Sequence, residues 1–399
     1  MRPRALGKRR KTVETIVKTP RTISTTRRPH RSSPPPDILT EPLQQVDRTY
    51  VLYRGRRLSY FGGCDYFRLS SHPEVLRALR EGLDRFGLNV AASRKTTGNH
   101  ALYGQLERTL AEFFGVEAAV LVSNGYMTNL AVAQALAGEF THALIDERSH
   151  GSLFDAAKLL DCLVLPFKHR DTGSAAKAVR QTGRKAKILL LTDGLFSHSG
   201  ELAPLEDYLR LLPASAMLLI DDAHGAGTLG KTGRGTTELL SVAGRRLIRT
   251  ITLSKAFGVY GGAVISSLVV RKRIVAGSRL FVGNTPLPLP LAAAAFASLE
   301  ILRTDLHLRR RLVFNTSYVK AALRDAGLSV NDGPGPIIPF VPRNGREADQ
   351  LTKKLLAEGI HPPLINYLGG PEGGYFRFAI SSEHTPEQLE ALVRALVSR

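Results

Sequence analysis

Short apolar segments alternate with stretches of helical periodicity through the middle of the chain. Within each segment successive positions are apolar, rather than every second one, which indicates strands that are buried on both faces. The predicted strands cover residues 118–123, 142–146, 163–167, 187–192, 216–222, 249–254 and 262–267. Such strands form parallel sheets between layers of helices, so the pattern predicts an α/β fold with a seven-stranded, mostly parallel sheet.

Other patterns flank this region. Apolar residues at 50–53 and 58–61 predict a hairpin, and helical periodicity follows from residue 75 to residue 114. After a proline-rich break at 283–290, the pattern predicts a smaller α+β domain. Its elements are a long helix over 291–326, strands at 336–340 and 376–380, a helix over 347–358, and a final helix that starts with Thr385 as cap, Pro386 and Gln388.

These patterns divide the chain into four parts. They are a basic, disordered tail (1–46), an N-terminal segment (47–69), a large domain (70–290) and a small C-terminal domain (291–399). No apolar stretch reaches the ~18 residues of a membrane span. With only Cys64 and Cys162, neither a disulfide framework nor a cysteine-rich metal site is expected. We therefore expect a cytoplasmic protein without a bound metal.

The formal net charge is +20, and part of it is local. Residues 1–46 carry eleven Lys or Arg against three acids, together with a proline run at 34–36. This composition is typical of a disordered extension, and an organelle transit peptide is an alternative. The charge alone would also suit nucleic acid, but a basic tail on a basic surface explains it, and such a surface suits anionic substrates. No nucleic-acid partner is expected.

Candidate chemistry lies where the predicted strands end. Lys255 lies in the segment TLSKAFG (252–258), and Asp221 and His224 follow the strand before it. A lysine after one strand and an Asp-x-x-His after another suit pyridoxal 5'-phosphate (PLP). The amine holds the cofactor aldehyde as a Schiff base, and the carboxylate keeps the pyridine nitrogen protonated. Asp222 is adjacent to Asp221, so the two side chains face opposite ways and only one can reach that nitrogen.

Two further segments lie at predicted strand ends. Gly125 and Tyr126 open a helix directly after a strand, and free N–H groups at such a position can seat a phosphate. His150 lies just past another strand, where a flat imidazole could stack on a planar cofactor. In parallel sheets, ligands bind beyond the carboxyl ends of the strands. These residues therefore join Lys255 and Asp221 in one candidate site.

A rival interpretation rests on residues 225–232 (GAGTLGKT), which match the P-loop pattern of nucleotide triphosphatases. The helix that a P-loop requires would begin at Lys231 and Thr232, but Gly233 and Gly235 follow at once and are poor helix formers. The preceding strand also ends in Asp221 and Asp222, which would place two carboxylates beside a triphosphate. A P-loop nucleotidase is therefore kept only as a second alternative.

Three motifs together resemble the α-oxoamine synthases, a family of fold-type I PLP-dependent enzymes with the class I and II aminotransferase fold. They are DDAHG at 221–225, GRGT at 233–236 and TLSKAFG at 252–258, and the resemblance runs from about residue 47 to the end. It implies a large domain with the seven-stranded sheet, a smaller α+β domain, and a homodimer with shared active sites.

The resemblance also implies residue roles. Lys255 would carry the cofactor and act as base, Asp221 would hold the pyridinium, His224 would bind the phenolic oxygen and His150 would stack on the ring. The remaining cofactor residues would be Gly125, Tyr126 and Thr252 at the phosphate, Ser197 at the phenolic oxygen, and Asn284 and Thr285 at the partner's phosphate. Arg377 would clamp a substrate carboxylate with its planar guanidinium.

Two positions depart from the family pattern, both on the substrate side. Cys64 replaces an asparagine that helps to hold the substrate carboxylate, and a thiol is a poorer donor. Tyr103 stands where the family usually has a histidine. The resemblance implies decarboxylative condensation of an amino acid with an acyl thioester, carried by coenzyme A or a carrier protein. An aminotransferase, or another enzyme of Cα chemistry, is the alternative.

Overall fold

The computed structural model describes residues 40–365 and 373–397 of the chain. Strands β1 (Gln44–Asp47), β2 (Tyr50–Tyr53) and β3 (Arg56–Ser59) form an antiparallel sheet in that order. The hairpin that the sequence predicted is therefore confirmed as β2 and β3. Strand β1 begins before residue 47, where the sequence placed the end of the basic tail. Residues 1–39 of that tail lie outside the described residues.

The predicted seven-stranded sheet is confirmed. Its strands are β4 (Ala118–Val122), β5 (His142–Asp146), β6 (Leu163–Phe167), β7 (Ile188–Asp193), β8 (Met217–Asp221), β9 (Leu247–Thr252) and β10 (Gly262–Ser266). They lie in the order β4-β10-β9-β8-β7-β5-β6. Strand β10 is antiparallel to both neighbours, and the other pairs are parallel.

Helices cover both faces of this sheet, which explains why its strands are apolar throughout. In β4, Ala119 and Leu121 belong to one buried cluster, and Val120 and Val122 belong to another on the opposite face. The helices of this part are α1 (Pro73–Phe86), α2 (Ala101–Phe114), α3 (Gly125–Ala135), α4 (Gly151–Leu159), α5 (Thr172–Thr182), α6 (Leu205–Leu211), α7 (Thr236–Leu239), α8 (Leu268–Gly277) and α9 (Arg279–Val282).

The C-terminal part contains a second antiparallel sheet. Strands β11 (Ile337–Phe340), β12 (Leu364–Ile365) and β13 (Tyr375–Ala379) lie in the order β11-β13-β12. The helices here are α10 (Leu289–Thr304), α11 (Leu306–Asp325), α12 (Gly345–Ala357) and α13 (Pro386–Val397). The described residues from 43 onwards fall into one compact unit, and the division into a large and a small domain stays a prediction.

The single helix predicted over 291–326 is wrong. Helix α10 ends at Thr304, and Asp305 starts α11 as its N-cap, because its Oδ1 accepts a hydrogen bond from the His307 N–H at 2.9 Å. The predicted start of α13 is confirmed. The Thr385 hydroxyl accepts from the Gln388 N–H at 3.4 Å, and Gln388 Oε1 accepts from the Thr385 N–H at 3.0 Å. Across the described residues, none of the helices is both long and apolar enough to span a bilayer.

Candidate active site

Lys255 lies three residues beyond β9, next to the residues that follow β8. Its Nζ is 2.7 Å from His224 Nε2, and His224 Nδ1 is 2.7 Å from the hydroxyl of Tyr66. His224 is 4 % exposed and Tyr66 is 1 % exposed. The parallel strands β8 and β9 bring Lys255 and His224 together, although thirty-one positions separate them. The structure thus joins the lysine and the histidine that the sequence proposed.

Burial shifts the proton affinity of all three groups. It lowers the pKa of the Lys255 amine and, together with the charge of Lys255, holds the pKa of His224 well below its usual range. Burial also raises the pKa of Tyr66 well above its usual range. At neutral pH the imidazole is therefore uncharged and the phenol keeps its proton. An uncharged imidazole can accept at one nitrogen and donate at the other, so it can link the amine to the phenol.

Asp221 ends β8 and is held on both carboxylate oxygens. Its Oδ2 accepts a hydrogen bond from Asn129 Nδ2 at 2.6 Å, and its Oδ1 accepts from the Ala223 N–H at 3.1 Å. Asn129 lies on α3, and its own carbonyl oxygen accepts from the Thr250 hydroxyl at 2.6 Å. These contacts orient the carboxylate towards the site, as a partner of a cationic ring nitrogen requires.

Asp222 makes a separate set of contacts. Its carboxylate accepts from the Thr236 hydroxyl at 2.7 Å and from the Thr236 N–H at 3.1 Å. Burial raises the pKa of Asp222 to about 7. The two neighbouring acids therefore have different partners, as adjacent positions at a strand end should. This geometry supports the choice of Asp221 as the residue that faces the site.

A helix N-terminus lies beside Asp221 and Lys255. Helix α3 begins at Gly125, and the side chain of Asn124 caps it by accepting from the Met127 N–H at 3.0 Å. A Cβ on Gly125 would lie 2.6 Å from the Cβ of Thr252, so the close approach of α3 to the end of β9 requires a glycine. The N–H groups at the start of α3 can hold an anion.

His150 caps the start of α4 and leaves its ring exposed. Its Nδ1 is 2.7 Å from the Ser152 hydroxyl, which itself accepts from Asn129 Nδ2 at 2.9 Å. The backbone N–H of His150 donates to Asp193 Oδ2 at 2.8 Å. Burial and the charge of Asp221 raise the pKa of Asp193 well above its usual range. The His150 imidazole is thus held by Ser152 on α4, and the His150 backbone is tied to Asp193 at the end of β7.

The predicted substrate residues also come together. Arg377 lies on β13, and its Nη2 is 3.6 Å from the sulfur of Cys64. The charge of Arg377 is close enough to contribute to the lowered pKa values of Lys255 and His224. The guanidinium therefore lies within electrostatic range of the amine, at the side of the site that Cys64 lines.

The remaining predicted residues are less tightly connected. Ser197 lies half-buried in the turn after β7, and the hydrogen bonds found among the described residues do not link it to Lys255, Asp221 or His224. Asn284 Nδ2 donates to the Ser123 hydroxyl at 3.1 Å, just before α3, and Thr285 is exposed. Tyr126 is partly exposed and its hydroxyl contacts Asp155. The roles of these four residues stay predictions.

The substituted position Tyr103 has a clear place. Its side chain is fully buried on α2, and its hydroxyl donates to the Leu287 carbonyl at 2.6 Å. Leu287 belongs to the loop between α9 and α10 that also carries Asn284 and Thr285. Tyr103 therefore holds this loop against α2.

The P-loop interpretation is wrong, because the protein's own carboxylates occupy the loop. The N–H of Thr232 donates to Glu238 Oε1 at 3.0 Å, and the N–H of Arg234 donates to Glu238 Oε2 at 2.9 Å. A Cβ on Gly225 would collide with the carboxylate of Asp222. No helix begins at Lys231, since α7 starts at Thr236. These donors are not open to a triphosphate.

Sequence reasoning gave no role to Tyr66, Asn129 or Asp193. Tyr66 lies two positions after Cys64, and Asn129 follows Gly125 by four positions on α3. Each therefore lies close in sequence to a predicted site residue. Asp193 is the last residue of β7. Their partners lie 158, 92 and 43 positions away, respectively, so that only the fold reveals the contacts.

Taken together, these groups fit PLP. The set contains an amine for its aldehyde, an oriented carboxylate for its ring nitrogen, a helix N-terminus for its phosphate and a flat imidazole for its ring. Lys255, Asp221, Gly125 and His150 would make these four contacts. All of them lie at the carboxyl ends of parallel strands, the usual ligand edge of such a sheet.

Comparison with known proteins agrees with this site. The model of the family "Aminotransferase class I and II" matches residues 62–396. The chain belongs to this family. It is similar to 8-amino-7-oxononanoate synthase of Thioalkalivibrio sulfidiphilus, with 36% identity over 345 residues, which are 86% of this chain and 88% of that protein. The same enzyme of Trichlorobacter lovleyi is 33% identical over 371 residues, 90% of this chain and 94% of that protein.

Solved structures that resemble this chain belong to the same group of enzymes. Serine palmitoyltransferase of Sphingomonas wittichii superposes with a TM-score of 0.84 at 28% identity, over 89% of this chain and 90% of that one. An enzyme of the same name from S. paucimobilis, solved with PLP, gives 0.83 at 26% identity, over 89% and 90%. The chain is thus an α-oxoamine synthase within the aminotransferase family, a PLP-dependent transferase with the fold-type I architecture.

Proposed function

We propose that the chain condenses a small amino acid with an acyl thioester and releases carbon dioxide and the free thiol. The geometry that carries this proposal is the line of contacts from Tyr66 through His224 to Lys255, with Arg377 within electrostatic range. It places a base next to a carboxylate clamp. The names of the relatives support the same reaction class.

The residues divide the work between binding and proton transfer. Arg377 binds the carboxylate of the amino acid and so directs Cα towards Lys255. The Lys255 Nζ, whose pKa burial lowers, takes the proton from Cα. Bound PLP supplies an electron sink for the negative charge that develops at Cα. Asp221, oriented by Asn129, keeps the proton on the cofactor's ring nitrogen. His224 links Lys255 to Tyr66, because one of its ring nitrogens contacts the Lys255 amine and the other contacts the Tyr66 hydroxyl.

Two features of the wider assembly belong to the same proposal. The acyl group arrives on coenzyme A or on a carrier protein, and the basic composition of the chain suits either anionic carrier. The active form is a homodimer in which Asn284 and Thr285 reach the phosphate of the partner's site. The exposure of Thr285 supports this, because an exposed side chain on this loop is open to a second chain.

A product assay tests the reaction class. The PLP-loaded protein is incubated with glycine, serine or alanine and a series of acyl-coenzyme A thioesters, while free thiol and carbon dioxide are measured together. We expect the two to appear in equal amounts with one amino acid, and neither to appear with Lys255→Ala. Formation of a 2-oxo acid without thiol would instead establish an aminotransferase. Release of thiol without carbon dioxide would reveal a thioesterase.

A further inference from the structure

A cavity of about 580 Å³ lies at the end of the main sheet opposite the candidate active site. Its lining includes Glu117, just before β4, Leu247 and Arg249 at the start of β9, and Ser266 at the end of the antiparallel strand β10. The active-site residues follow the carboxyl ends of β4, β8 and β9. The cavity is therefore separate from the PLP site, and its volume is within the range of small-molecule sites.

Arginine side chains provide positive charge in this cavity. Arg249 is 5 % exposed, and its guanidinium donates to the carbonyls of Arg234 and Phe114 at 2.9 and 3.1 Å and contacts the Thr237 hydroxyl at 2.8 Å. These are three of the five N–H donors of a guanidinium. Arg234 and Arg245 line the same space. Burial lowers the pKa of Arg249, because the charged guanidinium is removed from water.

The two acids of the cavity are already bound within the protein. Glu117 accepts from Arg245 Nε at 2.6 Å and from the Leu268 N–H at 3.0 Å. Glu238 accepts from the N–H groups of Thr232 and Arg234. With three arginines against two acids that have these partners, the cavity keeps an excess of positive charge. A cleft lined by an excess of one charge favours a ligand of opposite sign.

Apolar side chains complete the lining. Phe114, Val116, Val242 and Leu247 share the space with the arginines, and the guanidinium of Arg249 lies 5.2 Å from the centre of the Phe114 ring. A pocket with an apolar wall and a few charged donors selects a ligand with both kinds of surface. An inorganic anion would leave the apolar wall without a contact.

We propose that this cavity binds a small organic anion, in which a phosphate or carboxylate group meets the arginines and a compact apolar group packs against Phe114 and Leu247. The arginine donors match both anions, since each presents oxygens that a guanidinium can hold in pairs. The inference does not depend on the proposed reaction, because none of these lining residues belongs to the candidate active site.

The test is calorimetric titration of the PLP-loaded protein, so that the cofactor already occupies its own phosphate site. Phenyl phosphate and benzoate are the probes, and benzyl alcohol is the neutral control. We expect one molecule of an anion to bind per chain, and the ratio of the two affinities to tell which group the arginines prefer. Benzyl alcohol should bind at least tenfold more weakly. Absence of heat with both anions would overturn the proposal.

Two surface variants locate the binding. Ala243→Trp places a large ring at the exposed rim of the cavity and should abolish binding, whereas Ala214→Trp, in another exposed loop, should leave it unchanged. Arg245→Gln should weaken both anions about tenfold, and Arg210→Gln on α6 should not. Equal affinity in Ala243→Trp and the wild type would place the ligand elsewhere. Unchanged affinity in Arg245→Gln would refute an anion site.

Discussion

At the scale of single residues, the candidate site controls where protons reside. The Lys255 amine is next to an imidazole that burial keeps uncharged, and the imidazole is next to a phenol that burial keeps protonated. A positive charge on His224 would disfavour the protonated form of Lys255, so the amine would take up a proton from a substrate less readily. The neutral His224 instead lets Lys255 gain and lose a proton with its hydrogen bond retained.

Lys255→Ala should abolish turnover and leave the protein folded, because the amine is a reactive group beyond a strand end. A loss of ~4 kcal/mol in transition-state stabilisation is about a thousandfold in rate. Steady-state rates, circular dichroism and the visible absorbance of the cofactor measure the effect. Lys231→Ala is the control, since this exposed lysine lies in the P-loop look-alike. Wild-type rates in Lys255→Ala would remove the basis of the assignment.

The pair Asp221 and Asp222 separates a cofactor role from a structural one. Asp221→Asn should lower the rate by orders of magnitude, because an amide cannot hold a proton on the ring nitrogen. Asp222→Asn should change the rate only a little, because burial already raises the pKa of Asp222 to about 7 and an amide resembles the protonated acid. The measurement is kcat at saturating PLP. Equal losses in both variants would contradict the choice of Asp221.

Cys64 tests how the substrate carboxylate is held. Its sulfur lies 3.6 Å from Arg377 Nη2, so an amide at this position would add a donor beside the guanidinium. Cys64→Asn should tighten the binding of glycine, serine or alanine about tenfold, which is the usual effect of one hydrogen bond to a charged group. Titration of the cofactor absorbance measures it, with Cys162→Ser as control. An unchanged affinity would mean that the carboxylate lies elsewhere.

At the scale of elements, the sequence predicted what depends on short-range pattern. Seven apolar segments gave the seven strands, and because the strands are parallel, residues at their ends, such as Asp221 and Lys255, were expected to meet. The start of α13 was also predictable, because its cap is formed by Thr385 and Gln388, which are only three positions apart. Asp305 was missed because helical periodicity continues on both sides of it, so that only the cap geometry divides α10 from α11. Contacts between side chains distant in sequence, such as Asn129 with Asp221, leave no periodic signal.

Helix α11 contains a buried lysine whose titration should be visible in stability. Lys320 is 3 % exposed, its Nζ donates to Asn331 Oδ1 at 2.9 Å and to the Gly333 carbonyl at 2.5 Å, and burial lowers its pKa from 10.5 to about 8. Between these two pH values the unfolded chain binds the proton and the folded chain does not. Stability therefore rises with pH across this interval, and it falls as the pH drops through 8.

The expected gain from Lys320 between pH 8 and pH 10.5 is about 3 kcal/mol, because burial lowers its pKa from 10.5 to about 8. Urea unfolding at several pH values measures it as a difference between the wild type and Lys320→Met, in which this rise should be missing. Lys353→Met, at an exposed position of α12, should follow the wild type. Parallel curves for wild type and Lys320→Met would show that the lysine titrates normally.

At the scale of the whole molecule, the central question is whether one chain completes a site. Tyr103 fixes the loop that carries Asn284 and Thr285, and Asn284 contacts Ser123 beside the expected phosphate position. The exposed side chain of Thr285 is available to a second chain. The contact of Asn284 with Ser123 lies within one chain, so a role of Asn284 at its own chain's site has to be distinguished from a role at the partner's site in a symmetric dimer.

Mixing two inactive variants tests this arrangement. Lys255→Ala removes the amine, and Asn284→Asp sets a carboxylate against the phosphate, so each variant alone should be nearly inactive. If Lys255 and Asn284 of one site come from different chains, a mixed dimer has one intact site and one doubly altered site. Random mixing at equal amounts makes half of the dimers mixed, so activity should return to about a quarter of the wild-type value. If both residues serve the same chain's site, every site in the mixture carries one change, and the activity stays at the level of the separate variants. Lys255→Ala mixed with itself is the control for dissociation and reassembly.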